Sequence, residues 1–589
     1  MRQGSPHAKP PRATGWAVPV AVVVASLVLS LFAWRFSRQF AVFGEETTVL
    51  PGAPAVVLER EPAPDGLARL VEICPADATP GLSWSNERPQ WVLCTPGRVW
   101  PILIVSYIAG IFYWPTALFG ALGHGDALTL RALGVPIGVV VVLVSALFAR
   151  RLAGRRAAVF TALAAGTVPV VVALHATLIW FEILPWLLLM LGALAWLGVR
   201  EAPASISRRR AIVAAALAGL GLLADAKAGA LLLPLAAALV RSGAVKLADV
   251  RRHLRPMVAV GVLTLMPIAA GLLLRPATID DGKAGEALVA LAAHLAHPSQ
   301  LFAAASDTLL WWSNLAYYLA PAMRPMPFGV AAFGVAVASA AFVSFAGVRT
   351  LVRGGGSPLA AVAGVTLLGF TAMVSLLYAR FPINFSPLYG VFAIATGAAL
   401  ASLSRALERT AAGRAAALAP ALLLLPFAHE SHKLTFAAEH ATSPFHIEVE
   451  RSVADWLVSH PDPRAVNVIA EEQLSGVFDS MTGGRARTVQ GVRLLGRCAD
   501  DRAAASDPAW IDRAVRALLA RYAGHPLRFV AVSWCAYSPC GHGDTQAIVA
   551  AFVRAGRVVR EEASYATPDG APGMAIYSVG EAAPGSAPP

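Results

Sequence analysis

Long apolar runs separated by short polar segments fill the first 430 residues of the chain. A run of about 20 apolar residues crosses a bilayer as an α-helix. About eleven runs approach that length, at residues 16–33, 128–148, 157–174, 179–199, 212–223, 228–240, 257–274, 328–348, 359–377, 388–403 and 415–427. The pattern predicts a polytopic α-helical membrane protein with about eleven transmembrane helices in a domain that covers residues 16–430.

Arginine clusters between the runs predict how the chain is threaded through the membrane. Lys and Arg accumulate on the cytoplasmic side of spanning helices. The aromatic stretch 101–120 could cross the membrane or lie flat on it, and only the flat arrangement places every dense basic cluster on one side. We therefore expect a cytoplasmic N-terminus (1–15), a first outer loop (37–125) with a juxtamembrane helix at 101–120, and a later outer loop (276–326).

Beyond about residue 430 the composition becomes that of a water-soluble domain. Strands are predicted at 466–470, 529–533 and 574–579, and amphipathic helices at 471–480, 510–522 and 544–555. Alternating strands and helices indicate a small α/β domain, which would cover 431–580 on the outer side. The Ala, Pro, Gly and Ser of residues 581–589 are typical of a disordered tail.

Composition agrees with the apolar pattern and excludes several other classes of protein. Of the 589 residues, 57% are hydrophobic and 14% are charged, against about 25% charged in average soluble domains. Soluble, intrinsically disordered and collagen-like proteins are excluded on this ground. The formal net charge of +12 comes from the clusters that set topology, so it does not indicate nucleic-acid binding. The Ala- and Arg-rich usage indicates the inner membrane of a bacterium, with the outer side in the periplasm.

Acidic residues next to predicted helix ends are the first candidates for chemistry. Glu45 and Glu46 follow the first run, where a carboxylate could act as a general base or bind a metal; two solvated loop acids are the simpler interpretation. Glu182 lies within an apolar stretch near the outer end of the fourth run. Ionisable residues at that depth usually line a functional cavity, although Glu182 could instead cap a helix.

Two cations at the predicted outer ends of helices could hold a phosphate. Lys227 follows Asp225 at a turn between two apolar runs, and Arg380 lies among aromatic residues and prolines in a late outer loop. Lysine binds phosphate as a point charge and arginine through a planar fork. Mutual neutralisation of Asp225 and Lys227, and an interfacial position for Arg380, are the structural alternatives.

The five cysteines all fall in predicted outer segments. Oxidising surroundings make disulfides plausible there, Cys74–Cys94 first. Cys535 and Cys540 lack a paired ligand set at the spacing of a zinc finger, and His294 and His297 have no carboxylate pattern near them. Motifs of P-loop proteins, α/β-hydrolases and zinc proteases are absent from the sequence.

The order of these features resembles the GT-C membrane glycosyltransferases, in the branch of protein O-mannosyltransferases and lipid A aminoarabinose transferases (glycosyltransferase families 39 and 83). The resemblance covers residues 16–430 and rests on the acidic pair after the first run, Leu118-Phe119-Gly120, Leu130-Arg131-Ala132-Leu133, the Arg-rich turn 149–158, and 218–223 leading to Lys227. The family usually has an Asp-Glu pair in its first loop, where this chain has Glu45-Glu46.

The resemblance implies transfer of a sugar from a polyprenyl-phosphate donor to an acceptor on the outer face, by inverting displacement. Glu45, Glu46 and Glu182 match the family's outer acids, and Lys227 and Arg380 match its phosphate-binding positions. A divalent metal (Mg²⁺ or Mn²⁺) is optional, with Glu45 or Glu46 as ligand. Two other classes of protein stay open: a transporter or flippase of a lipid-linked substrate, and a non-catalytic scaffold with an outer binding domain.

Overall fold

Helices make up most of the described residues before residue 440. The computed structural model describes residues 16–37, 53–54, 56–59, 69–72, 79–85, 90–95, 98–104, 108–109, 131–176, 183–198, 206–225, 227–273, 306, 308–310, 312–313, 329–377, 387–410, 413–439, 447–469, 477–478, 481–482, 485–486, 488–490, 508–532, 543–566, 570 and 572–581. The first helices are α1 (Ala17–Ser37), α2 (Gly134–Ala153), α3 (Arg155–Thr167), α4 (Pro169–Ala176), α5 (Leu184–Leu197) and α6 (Arg208–Ala224). The chain continues with α7 (Ala228–Arg241), α8 (Leu247–Leu273), α9 (Val330–Arg353), α10 (Pro358–Leu377) and α11 (Tyr389–Glu408).

The first ten predicted apolar runs all coincide with these helices, and the chain is a helical membrane protein. Among the described residues, five helices are long and apolar enough to cross a bilayer: α1, α2, α8, α9 and α11. The pair α3–α4 adds a sixth crossing if the two helices count as one. The other apolar helices are shorter, so the predicted number of about eleven crossings stays a prediction.

Proline residues explain two departures from the predicted runs. The run 157–174 is bent by 58° between α3 and α4, where Pro169 cannot donate a hydrogen bond to the preceding turn. The run 415–427 is not one helix: it contains a short helix (Gly413–Ala416), a 3-10 helix (Ala419–Leu424) and the start of α12 (Leu425–Glu439). Pro420 and Pro426 interrupt it.

Glycine allows the helices to approach closely. A Cβ added at Gly364 of α10 would overlap the carbonyl oxygen of Val343 in α9. A Cβ at Gly219 of α6 would overlap the Thr264 hydroxyl of α8. Small residues at such crossings let helices pack closely where lipid gives no hydrophobic driving force for their association, and these two glycines allow α9 to approach α10 and α6 to approach α8.

Short strands lie between α1 and α2 and correct one expectation. They are β1 (Ala53–Pro54), β2 (Val56–Glu59), β3 (Arg69–Glu72), β4 (Gly81–Ser85), β5 (Gln90–Thr95), β6 (Arg98–Ile104) and β7 (Ile108–Ala109). The predicted helix at 101–120 is therefore wrong over residues 101–104 and 108–109. Thr95 pairs with Arg98 across Pro96-Gly97, and this dipeptide favours a hairpin turn, which directs the following apolar residues into a strand.

The C-terminal region has the predicted mixture of strands and helices. Its helices are α13 (Ile447–Ser459), α14 (Pro508–Arg521) and α15 (Gly543–Arg554). Its strands β8 (Val466–Ile469), β9 (Thr488–Gln490), β10 (Leu527–Val532), β11 (Arg557–Ala566) and β12 (Pro572–Glu581) form one sheet in the order β11-β12-β10-β8-β9. Strand β8 is parallel to β9 and β10, whereas β12 is antiparallel to β10 and β11. Strands β1 and β2 contact β9, and β3 contacts α14, so the first outer loop packs against this sheet.

Part of the predicted outer loop 276–326 is buried in the bundle core. Trp312 is fully buried and stacks on Phe392 of α11, with 4.7 Å between ring centroids. Its Nε1 donates to Thr396 Oγ1 at 3.2 Å. Thr396 lies about two turns into α11, so the loop reaches well below the helix ends.

Candidate functional site

The helix bundle has two chemically different ends. One end, called here the basic end, carries the arginines and lysines at the predicted cytoplasmic helix termini: Arg150, Arg151, Arg155, Arg156, Arg208, Arg209, Arg210, Arg241, Lys246, Arg251, Arg252, Arg255, Arg349, Arg353, Arg405 and Arg409. Contacts between neighbouring termini confirm that they meet. Arg156 Nη1 lies 2.7 Å from Glu408 Oε2, and Arg241 Nη2 donates to the Leu351 carbonyl at 2.7 Å.

Asp225 and Lys227 lie at the opposite end, at the turn between α6 and α7. Lys227 Nζ is 3.1 Å from Asp225 Oδ2, and the two side chains are 6% and 4% exposed. Asp225 Oδ1 also accepts the Lys227 backbone N–H at 2.7 Å. The structure therefore adopts the neutralising ion pair that the sequence left as an alternative.

An apolar groove lies between the helices that meet at this turn and two of their neighbours; Asp225 and Lys227 do not themselves line it. It encloses about 380 Å³ between α5, α6, α7 and α8. Its lining is aliphatic apart from one tryptophan and includes Leu222 and Leu232, which flank the turn, and Met257 and Gly261 of α8. Leu232 is five residues from Lys227, or about 7.5 Å along a helix. The groove continues to Val245 and Val250 near the basic end, so it runs through much of the bundle.

Two buried polar side chains at the same end were not among the predicted site residues. Arg131 is fully buried and its Nη1 donates to the Ser37 carbonyl at 2.9 Å, which ties the start of α2 to the end of α1. His175 of α4 is fully buried. Its ring packs closely against Gly138 of α2, since a Cβ added at Gly138 would lie only 3.0 Å from the ring. Glu45 and Glu46 follow Ser37 by eight and nine residues. Arg131 thus fixes the point from which the loop with both acids starts.

A second pocket, of about 400 Å³, lies between the start of α9 and helix α12. Its polar groups are His429, Glu430 and Lys433. Glu430 is 5% exposed and pairs with Lys433 at 2.7 Å, while the Ser431 hydroxyl donates to the Thr167 carbonyl at the α3–α4 bend. The polar run His429-Glu430-Ser431-His432-Lys433 directly after an apolar stretch is a signal in the sequence that could have identified this pocket.

Most of the predicted site residues lie outside the described residues. These are Glu45, Glu46, Glu182, Arg380 and Cys74. Cys94 is buried in β5 and forms a disulfide, but its partner is not among the described residues, so pairing with Cys74 stays a prediction. The described residues contain no group of three potential metal ligands, and with Glu45 and Glu46 outside them a metal requirement also stays a prediction.

Solved structures with a similar architecture define the fold. The oligosaccharyltransferase AglB from the archaeon Archaeoglobus fulgidus, in complex with an inhibitory peptide and a dolichol-phosphate, is 13% identical, with a TM-score of 0.50 over 98% of this chain and 75% of that chain. The apo form of the oligosaccharyltransferase from the same organism is 14% identical, with a TM-score of 0.50 over 95% and 74%. ArnT from Cupriavidus metallidurans bound to undecaprenyl phosphate is 14% identical, with a TM-score of 0.49 over 96% and 98%.

No protein-family model and no curated protein matches the sequence. At 13–14% identity the structural similarity defines the architecture and not the substrate. Helix order, the loop after the first helix and the C-terminal α/β region all fall within the matched length. The chain therefore has the fold of the GT-C membrane glycosyltransferases.

Proposed function

We propose that this protein transfers a sugar from a polyprenyl-phosphate donor to an acceptor at the end of the bundle opposite the basic end. By the positive-inside rule that end faces the periplasm of a bacterial inner membrane, together with the C-terminal α/β domain. The GT-C fold supports a transferase, and a neighbour with this fold holds a dolichol-phosphate. The acceptor is a hydroxyl or amine of a protein, a lipid or an envelope glycan.

The observation that carries the proposal is a buried lysine that lies about 1.4 turns of α7 before the first α7 residue of an apolar groove. A polyprenyl phosphate has a compact anion joined to a long hydrocarbon chain. Lys227 supplies the cation, and the groove between α5 and α8 supplies an apolar channel that starts about 7.5 Å further along α7. Because Asp225 already neutralises Lys227, an incoming phosphate would share the ammonium with Asp225 or displace that carboxylate.

The chemistry rests on acids and cations that would meet at this end. A carboxylate, Glu46 or its neighbour Glu45, removes the proton of the acceptor as the acceptor atom attacks the anomeric carbon. The bond between that carbon and the phosphate oxygen breaks, and the polyprenyl phosphate leaves with the electron pair. Lys227 and Arg380 stabilise the negative charge that develops on the leaving phosphate. Glu182 provides a second acid that would orient the acceptor or the sugar.

The base assignment is tested with purified protein and a polyprenyl-phosphate sugar. Glu46→Gln keeps the size of the side chain and removes its basicity, so turnover should fall by about 10²-fold or more. Glu408→Gln, at the basic end, is the matched control and should turn over normally. Equal turnover by Glu46→Gln and wild type would remove Glu46 as the base, and the same test then applies to Glu45.

The phosphate assignment of Arg380 predicts a different kinetic signature. Arg380→Ala should raise the apparent KM for the donor, and an unchanged KM together with an unchanged kcat would remove the residue from the site. Translocation of the intact donor across a bilayer without cleavage of the sugar–phosphate bond would instead favour the flippase alternative.

A further inference from the structure

The pocket between α9 and α12, called here the α9–α12 pocket, is separate from the proposed donor groove. It is lined by the first residues of α9, from Gly329 to Ala332, and by Leu425, Pro426, His429, Glu430 and Lys433 of α12. The donor groove lies between α5, α6, α7 and α8. Helix α7 also packs against α10, because a Cβ added at Gly369 of α10 would contact Pro234 of α7. Helix α7 therefore stands between the donor groove and α10. The transfer chemistry uses none of the residues of the α9–α12 pocket.

The floor of the α9–α12 pocket carries one negative and one positive group. The carboxylate of Glu430 is almost completely buried, whereas the side chain of Lys433 is 24% exposed at a Nζ–Oε1 distance of 2.7 Å. His429 adds a third polar group, and its residue is exposed. Glu430 and Lys433 thus place one negative and one positive charge three residues apart on a helix. Such a pair is complementary to a zwitterionic ligand.

The rim of the pocket is apolar and faces outward. Of its lining residues, Val330 is 73% exposed and Leu425 61%. Exposure of large aliphatic side chains to water is unfavourable. In a membrane protein, side chains with this exposure at a helix end therefore contact lipid chains. The polar floor is therefore reached from the lipid phase near the membrane surface.

Close packing fixes the position of the Glu430 carboxylate in the pocket. It lies against the backbone of Gly329, and a Cβ at that position would overlap it. The carboxylate can keep its position only because residue 329 is glycine. Replacing that glycine would move the carboxylate without changing any charge.

From these features we propose that the α9–α12 pocket binds the head group of an ethanolamine-type phospholipid. The primary ammonium donates hydrogen bonds to Glu430, the phosphate lies at Lys433 and His429, and the acyl chains cover Val330 and Leu425. A choline head group has no N–H to donate, and a glycerol head group brings no cation to the carboxylate. The pocket therefore discriminates by the protonated amine.

The test measures lipid binding to the purified full-length protein in detergent by native mass spectrometry, with phosphatidylethanolamine, phosphatidylcholine and phosphatidylglycerol as probes. Phosphatidylethanolamine should bind about tenfold more tightly than the other two, as expected for a charge-assisted hydrogen bond. Glu430→Gln should abolish the preference. Glu408→Gln, which breaks an ion pair of equal length at the basic end, should retain it.

A second variant keeps the proposal testable if Glu430→Gln fails to fold. Gly329→Ala retains every charge but displaces the carboxylate, so it should also lose the preference for phosphatidylethanolamine. Equal affinity for the three lipids, or an undiminished preference in Gly329→Ala, would overturn the proposal. Binding of a polyprenyl phosphate should be the same in both variants and in wild type, so failure here is distinguishable from failure of the proposed transferase function.

Discussion

Replacement of Lys227 by methionine breaks the buried ion pair at the turn between α6 and α7 and leaves a carboxylate without its cation. Removing one partner of a buried pair typically costs about 3–5 kcal/mol, and the side chains here are 6% and 4% exposed. Lys227→Met should therefore lower both stability and activity. A loss of activity in this single variant does not distinguish a structural lysine from a phosphate-binding one.

The double variant Asp225→Asn/Lys227→Met separates the two roles. The introduced asparagine side chain would keep the Oδ1 that accepts the backbone N–H of residue 227 at 2.7 Å, and the substitution removes the unpaired charge. Because replacing a buried pair by neutral groups is often close to neutral, we expect the double variant to regain most of the about 3–5 kcal/mol lost by the single one. Stability is measured by denaturant unfolding in detergent micelles.

Activity should not return with stability. The double variant lacks the ammonium that would hold the donor phosphate, so its affinity for a polyprenyl phosphate should stay at least about tenfold below that of wild type, as for a lost charge-assisted hydrogen bond. Binding is followed with a fluorescent polyprenyl phosphate in the same detergent. If affinity recovered in parallel with stability, Lys227 would be a purely structural partner of Asp225.

Three further predictions concern packing, surface charge and the disulfide. Gly364→Ala would push against the Val343 carbonyl and should lower the free energy of unfolding by about 1–3 kcal/mol. Gly261→Ala in α8 is the control, because its added Cβ would meet open space and should not destabilise the protein. Similar melting temperatures for the two variants would refute close α9–α10 packing. Glu408→Gln removes an ion pair whose side chains are 33% and 38% exposed and should change the unfolding free energy by only about 0–1 kcal/mol. Peptide mapping without reductant should recover Cys94 joined to Cys74, and recovery with any other cysteine would refute that pairing.

The apolar pattern correctly predicted ten of the eleven apolar runs as helices, because a helix satisfies all backbone hydrogen bonds of a lipid-embedded segment locally. The runs from 16–33 to 388–403 all coincide with helices. The same holds for strands β8, β10 and β12 and helices α14 and α15 of the C-terminal region, whose periodicity is strong. Charge placement likewise predicted which helix ends would meet at the basic end.

Features that depend on contacts between distant segments could not be predicted in this way. The aromatic stretch after Arg98 has the composition of an interfacial helix, but pairing with β5 makes it a strand. Trp312 lies in a predicted loop, and only its stacking on Phe392 places it in the core. Glu430 was not recognised because its burial depends on the glycine at the start of α9, far away in the sequence.

A structure of the protein with a bound polyprenyl phosphate is the most direct measurement of where the donor lies. Our prediction is hydrocarbon density in the groove between α5 and α8 and a phosphate within hydrogen-bond distance of Lys227 Nζ. It would be contradicted by a phosphate bound among the arginines of the basic end, or by a lipid chain that leaves this groove empty.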